Sequence, residues 1–259
     1  MKRRIFIASA AMVGMSVHSQ VTDMNDAINK AGRQRMLSQR ISKAYLAMVQ
    51  KVEPGSAQQV LDRSLALFDR QLVELKAFAP AGEVRETYVK LERSWSDFKS
   101  ELVGAAPSRD HALKVIQMDA AILTLANQGT QQYEKLVSRP VGNLVNVAGR
   151  QRMLSQRMAK FFLASTLQLN APASVAEIAK AKTEFLAAQE VLRSAPEATA
   201  KIKDELALAD AQWVFFDQGL QRPDAARQSP KLMSDVFVSS ENLLSVMDRV
   251  TGLYSALKA

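Results

Sequence analysis

A chain of 259 residues has room for one large domain or two of ordinary size, and its 47% hydrophobic content with only 6% aromatic residues makes Ala, Leu, Val and Met the core formers. Ten Gly and eight Pro leave few turns, so long helices are expected. The absence of cysteine excludes disulfides and thiolate chemistry, and a formal charge of +8 favours anionic ligands or surfaces.

The chain opens with Lys2-Arg3-Arg4, an apolar stretch Ile5–Met15 and the small-residue segment Val17-His18-Ser19 before Gln20. That order is expected to be an export signal over residues 1–19, too short to serve as a stop-transfer span. A retained membrane anchor is the alternative. Losing Lys2, Arg3 and Arg4 lowers the charge from +8 to +5. The mature chain is then expected to be soluble and periplasmic, with no membrane insertion and no nucleic acid as partner.

In chain order, a helix is expected from Met24 to about Val52, with Asp23 or Asn25 near its start as cap and Glu53-Pro54-Gly55 as its stop. Ala57–Phe78 carries Val60, Leu61, Leu65, Phe68, Leu72 and Leu75 at helical spacing, and Pro80-Ala81-Gly82 ends it. A third helix covers Glu83–Leu102, and Ser108 caps a fourth that runs to about Val137. Ser138-Arg139-Pro140 is the one plausible boundary between domains. The plan then repeats as Val141–Leu169, Val175–Arg193, Glu197–Leu220 and Lys231–Leu257. The expected fold is all-α: two tandem antiparallel four-helix bundles, residues 20–138 and 141–259, related by an internal pseudo-two-fold.

The repeat is read from one stretch. Ala31–Arg40, AGRQRMLSQR, returns letter for letter at Ala148–Arg157, 117 residues further along (35 to 152). Trp213 and Phe216 follow Trp95 and Phe98 at a spacing one residue longer, which implies a single insertion between. On a wheel of about 100° per residue, Ile28, Ala31, Gly32, Ser38, Gln39, Ser42 and Leu46 fall on the side of Arg35. Leu37, Ile41, Tyr45 and Met48 form the adjacent apolar face, while Arg33 and Arg40 point to the far side. The second copy presents Val145, Gly149, Arg152, Ser155, Gln156, Ala159 and Leu163 in the same way.

Each copy therefore sets one arginine on a stripe of small and polar residues beside its core. A mid-helix Gly costs roughly 1 kcal/mol relative to Ala, so Gly32 and Gly149 point to a close approach of backbone or ligand. If the halves pack about a two-fold, Arg35 and Arg152 face each other across the seam. Two guanidinium groups away from bulk water need an anion between them, because Arg does not shed its proton there. Their planar forks suit a small oxyanion. The plain alternative is an ion pair with an acid of a neighbouring helix, with Asp62, Asp69, Asp119 and Asp210 as candidates. For Arg33, Arg40, Arg150 and Arg157 that alternative is the preferred reading.

The block Asn29-Lys30-Ala31-Gly32-Arg33-Gln34-Arg35-Met36-Leu37-Ser38-Gln39-Arg40, with its second copy from Asn146 to Arg157, resembles the P-box of the periplasmic sensor domain of bacterial nitrate/nitrite sensor kinases. That domain belongs with the N-terminal domain of PilJ-type (type IV pili) methyl-accepting chemotaxis transducers. The resemblance implies a four-helix sensor bundle that dimerises and holds nitrate between the first helices of two subunits. By position, Arg35 and Arg152 would contact the anion, with backbone near Gly32 and Gly149. Ser38, Ser155, Arg40 and Arg157 are secondary ligand-binding or packing candidates. Duplication would put both halves of the dimer in one polypeptide. The family's flanking membrane helices and signalling module are not found here, so the resemblance implies output through a membrane sensor or transporter as partner. The transducer members are not all nitrate sensors.

The leading expectation is thus an exported binding protein for a small oxyanion, nitrate or nitrite first. The alternative is a protein-interaction module of a chemosensory or type IV pilus system, which would need an exposed arginine surface. Catalysis ranks third. His111 follows the leader alone, without a second His or Cys for a metal, and Ser38 and Ser155 have no evident base. No cofactor or metal is expected.

Overall fold

The computed structural model describes residues 20–137 and 140–257, so the expected export signal over 1–19 lies outside the described residues. The described chain is helical throughout: α1 Met24–Val49, α2 Pro54–Phe78, α3 Glu83–Val103, α4 Arg109–Lys135, α5 Pro140–Thr166, α6 Ala171–Ser194, α7 Ala200–Leu220, the short α8 Pro223–Ala226, and α9 Pro230–Ser255. Among these helices none is long and apolar enough to cross a membrane.

Several ends differ from the sequence reading, and the prolines are the reason. Pro54, Pro172 and Pro230 were read as breaks, yet each sits in the first turn of its helix. A proline there forfeits an N–H that would have had no intrahelical partner. So α2 starts at Pro54 rather than Ala57, and α6 at Ala171 rather than Val175. The preceding helices stop early, at Val49 and Thr166, because Lys51, Glu53, Gln168 and Asn170 adopt left-handed backbone (φ 56°, 45°, 56° and 50°). The same two-residue kink thus closes the motif helix in both copies. Asp23, Ser108, Thr199 and Ser229 cap α1, α4, α7 and α9, each accepting a hydrogen bond from a backbone N–H of the first turn.

Within the first half α1 packs on α2 and α4, and α3 on α4; within the second α5 packs on α6 and α9, and α7 on α9. The cores match in detail. Phe68 stacks on Trp95 with ring centres 3.8 Å apart, and Phe185 on Trp213 at 4.6 Å. The buried Tyr133 donates its hydroxyl to the Leu75 carbonyl and Tyr254 to that of Leu192. The last helices correspond at a longer spacing (133 to 254), and α8 takes up the additional residues. The two tandem bundles and their pseudo-two-fold are therefore present as expected.

Between the halves, α1 and α5 share the most extensive helix–helix contact of the molecule. Each motif helix is sandwiched between its own bundle and the other, which is why α1 is buried on nearly every side. Leu37, Ile41 and Tyr45 face their own core, while Gly32 and Gly149 meet at the crossing. A Cβ added to Gly32 would lie 3.9 Å from the Gly149 Cα, and the reverse is equally true. Glycine allows the backbones to come this close.

Candidate site at the seam between the repeats

The decapeptide does more than line one stripe. Gln34 and Gln151 donate to the carbonyls of Phe68 and Phe185, tying each motif helix to the second helix of its bundle. Ser38 and Ser155 turn back to the carbonyls of Arg35 and Arg152 and accept from Gln39 and Gln156. These serines serve the helix itself. Part of the identity between the copies is thus accounted for by helix-to-helix bonding.

Arg35 and Arg152 are buried completely, at 1% and 0% exposure. They converge at the glycine crossing: a Cβ on Gly32 would stand 3.2 Å from Arg35 Nη2 and 3.7 Å from Arg152 Nη2, and one on Gly149 would meet them in the opposite order. Arg35 Nη1 donates to Asn127 Oδ1 of α4 (2.9 Å), and Nη2 donates to Asn146 Oδ1 of α5 (2.7 Å) and the Asn146 carbonyl (3.3 Å). Arg152 Nη1 donates to Asp248 Oδ1 of α9 (2.5 Å) and Nη2 to the Asn29 carbonyl of α1 (3.0 Å). Both Nε atoms are buried without a hydrogen-bond partner among the described residues.

The asymmetry lies in charge. Asn127 and Asp248 occupy equivalent places on the last helix of each half, so one arginine faces an amide and the other a carboxylate. Asp248 Oδ1 also accepts from Arg33 Nη2 at 2.8 Å, and one acid serves two cations. Arg35 has no carboxylate in hydrogen-bonding reach among the described residues. Its nearest compensation is indirect, through Asn146 Nδ2 donating to Glu134. Burial, then Arg150 and Arg152, push the Arg35 guanidinium down to about 9. Arg152 falls to about 10, burial being offset in part by Asp248. Burial works to raise the Asp248 carboxyl, but Arg152 and Arg33 outweigh it and hold it at about 2. At neutral pH all three groups are charged, and the seam carries a surplus of positive charge.

Two clefts flank the seam. One, of about 230 Å³, runs between α4, α5 and α6 and is lined by Asn127, Thr124, Arg150, Arg157, Lys180 and Glu184 among others. Its counterpart, of about 400 Å³, lies between α9, α1 and α2, with Asp248, Ser245, Arg33, Arg40, Glu241 and Arg70 in its walls. In the α9 cleft the motif arginines bridge the opening: Arg33 reaches Asp248, and Arg40 reaches Glu241, both on α9. In the α4 cleft they turn the other way. Arg150 pairs with Glu184 and Arg157 with Glu177, both on α6 of their own bundle. The four flanking arginines are ion-paired, in line with the preferred reading of them. Arg33, on the side of α1 away from Arg35, nevertheless shares an acid with Arg152 and so reaches the α9 edge of the seam. None of Asp62, Asp69, Asp119 or Asp210 meets Arg35 or Arg152.

A second pair of cations went unnoticed in the sequence. Lys43 and Lys160 keep the repeat spacing three residues beyond the identical block, and both are buried across the seam. Lys160 Nζ lies 2.9 Å from each carboxylate oxygen of Asp119 on α4. Lys43 Nζ donates to Ser240 Oγ (2.8 Å) and Glu241 Oε1 (2.6 Å) on α9. Asp119 and Ser240 are equivalent positions, so the carboxylate has moved one residue along, from Asp119 to Glu241. That shift lets Glu241 serve Arg40 as well as Lys43.

Among the described residues no cluster of His, Cys, Asp and Glu forms a metal site. No curated protein and no solved structure matches the chain. A family model does, twice: the type IV pili methyl-accepting chemotaxis transducer N-terminal model matches residues 17–121 and again 137–237. With two tandem matches spanning most of its length, each on one bundle, the chain belongs to the PilJ family of chemotaxis-transducer sensory domains rather than to an enzyme family.

Proposed function

We propose that this chain is an exported sensor or binding protein for a small oxyanion, nitrate or nitrite first, held between α1 and α5 and read out by a membrane sensor or transporter. The observation that carries the reading is the pair of fully buried guanidinium groups meeting at Gly32 and Gly149, each with a buried, unpartnered Nε. A buried charge that lacks its counter-charge costs several kcal/mol, and an anion between the two forks offsets it. An anion there would touch both halves, so its binding would be felt as a change in how the two bundles meet. Export and a periplasmic location are part of the proposal and rest on the Lys2–Ser19 leader pattern.

The alternative, a docking module without a small ligand, calls for arginines on the surface. The exposure of Arg35 and Arg152, 1% and 0%, favours the anion reading over it. The test is calorimetric titration of the full chain with sodium nitrate, with nitrite, sulfate and chloride as comparators. One saturable site, lost in Arg35→Met and in Arg152→Met while both variants stay folded, is the expected result. A folded chain that takes up none of these anions overturns the reading.

A further inference from the structure

We infer that the seam site is open on one side only: an anion reaches Arg35 through the cleft between α4, α5 and α6, with Asn127 as its gatepost, while Asp248 is a resident carboxylate that closes the equivalent approach to Arg152. This rests on the anion reading of the seam, and it assigns the two halves of the repeat different parts in it.

Asn127 lines the α4 cleft and holds Arg35 Nη1; Asp248 lines the α9 cleft and holds Arg152 Nη1. The two residues therefore stand at the same place, between bulk solvent and a buried arginine. What differs is what an incoming anion would meet. At Asp248 it would face a fixed negative charge already shared by Arg33 and Arg152, and displacing that charge would strand a carboxylate between two cations' former bonds. At Asn127 it would exchange a neutral amide oxygen for a charged one, and the displaced amide still has solvent to bond. Both bonds have a charged donor, but only the second exchange supplies a counter-charge to a buried guanidinium that has no carboxylate partner, so only the second is favourable.

The walls agree. Across the α9 cleft, Arg33–Asp248 and Arg40–Glu241 pin α1 to α9. Across the α4 cleft the flanking arginines make no such brace, because Arg150 and Arg157 pair back to Glu184 and Glu177 of α6; α5 is tied to α4 beyond the ends of the opening, by Lys160–Asp119 and Asn146–Glu134. The acids that hold them there have apolar counterparts in the first half, Val60 and Leu67, so the relocation belongs to the second half alone. The α4 cleft holds about 230 Å³, several times the volume of one water, and so serves as a vestibule. Its lining cations, Arg150, Arg157 and Lys180, outnumber the lining acid Glu184, and even with Arg157 paired to Glu177 one positive charge is left over, which favours an anion over a cation there.

Exchanging the two gateposts tests this. Asn127→Asp gives Arg35 the carboxylate its counterpart has; nitrate affinity of the full chain should fall at least tenfold while the thermal midpoint stays level or rises. A purely structural role for Asn127 would move binding and stability down together. Asp248→Asn should leave nitrate bound at the Arg35 side and add uptake at the Arg152 side, seen as tighter binding or a second equivalent. If the unaltered chain binds nitrate and Asn127→Asp binds it equally well, or if Asp248→Asn is the variant that loses binding, the one-sided site is wrong while the anion reading stands. No nitrate binding by the unaltered chain overturns the reading beneath it.

Discussion

The two halves of this molecule share a backbone plan down to a stacked Phe–Trp pair and a tyrosine hydroxyl on the same carbonyl, yet they compensate their buried charges differently. In the first half the last helix offers Asp119 and Asn127; in the second it offers Ser240, Glu241 and Asp248. The consequence is a seam whose geometry is nearly symmetric and whose electrostatics are not. A homodimer built from one bundle is bound to keep identical counter-charges on both sides of its axis. A covalent duplication is free of that constraint, and here the carboxylates have been redistributed so that one arginine is neutralised and the other is left with amides.

The comparison breaks most visibly at the buried lysines. Lys160 and Asp119 are each 1% exposed and bonded through both carboxylate oxygens. Asp119→Ala should cost about 3–5 kcal/mol in denaturant unfolding, since it strands a buried ammonium. Pairing Asp119→Leu with Lys160→Met should return most of that loss. The equivalent change on the other side, Ser240→Ala, should cost only about 1–2 kcal/mol, because Lys43 keeps Glu241.

The arginines sharpen it. Arg152→Met removes one of two cations on Asp248 and a charge-assisted bond, and should destabilise by about 1–3 kcal/mol in the same assay. Arg35→Met removes a buried charge with neutral partners only, and should fall within about 1 kcal/mol of the unaltered chain or exceed it in stability. Equal losses at the two positions would mean that the Asn127–Asp248 difference has no energetic weight.

The smallest effect is the pH dependence of the second half. Burial opposes ionisation of Glu241 too, but Lys43 and Arg40 outweigh it and hold the carboxyl at about 2. Since the folded values of Asp248 and Glu241 lie below the ordinary 3.8 and 4.5, the unfolded chain binds more protons at acid pH. Their contribution is therefore complete above about pH 5 and is lost as pH falls toward 2. Thermal midpoints measured across that range should drop less steeply in Asp248→Asn and Glu241→Gln than in the unaltered chain. Both groups are partly exposed, and salt should weaken the effect.

Much of the fold was legible in the sequence because helical periodicity is local and the ten-residue repeat is literal. Arg35, Arg152, Gly32 and Gly149 were found from the wheel, and the structure brings all four to one crossing. Helix starts at Pro54 and Ala171 were missed because a proline ends one helix and begins the next with the same residue, and only the left-handed kink before it tells which. Lys43 and Lys160 carried a signal that was passed over, since their spacing continues that of the block. Asn29 and Asn146 stood in the quoted motif without an assigned part.

What the sequence determined by itself was two copies of one bundle, each with an arginine beside a glycine on its first helix. Spacing along a helix dictates which residues share a face, so those positions follow from the chain alone. Only the tertiary structure decided that Arg152 is answered by Asp248 and Arg35 by Asn127. These partners sit on the last helices, about a hundred residues from their arginines in sequence, in a register shifted by the residues that form α8. Charge compensation depends on distance through space and on removal from water, and neither can be read from order along the chain.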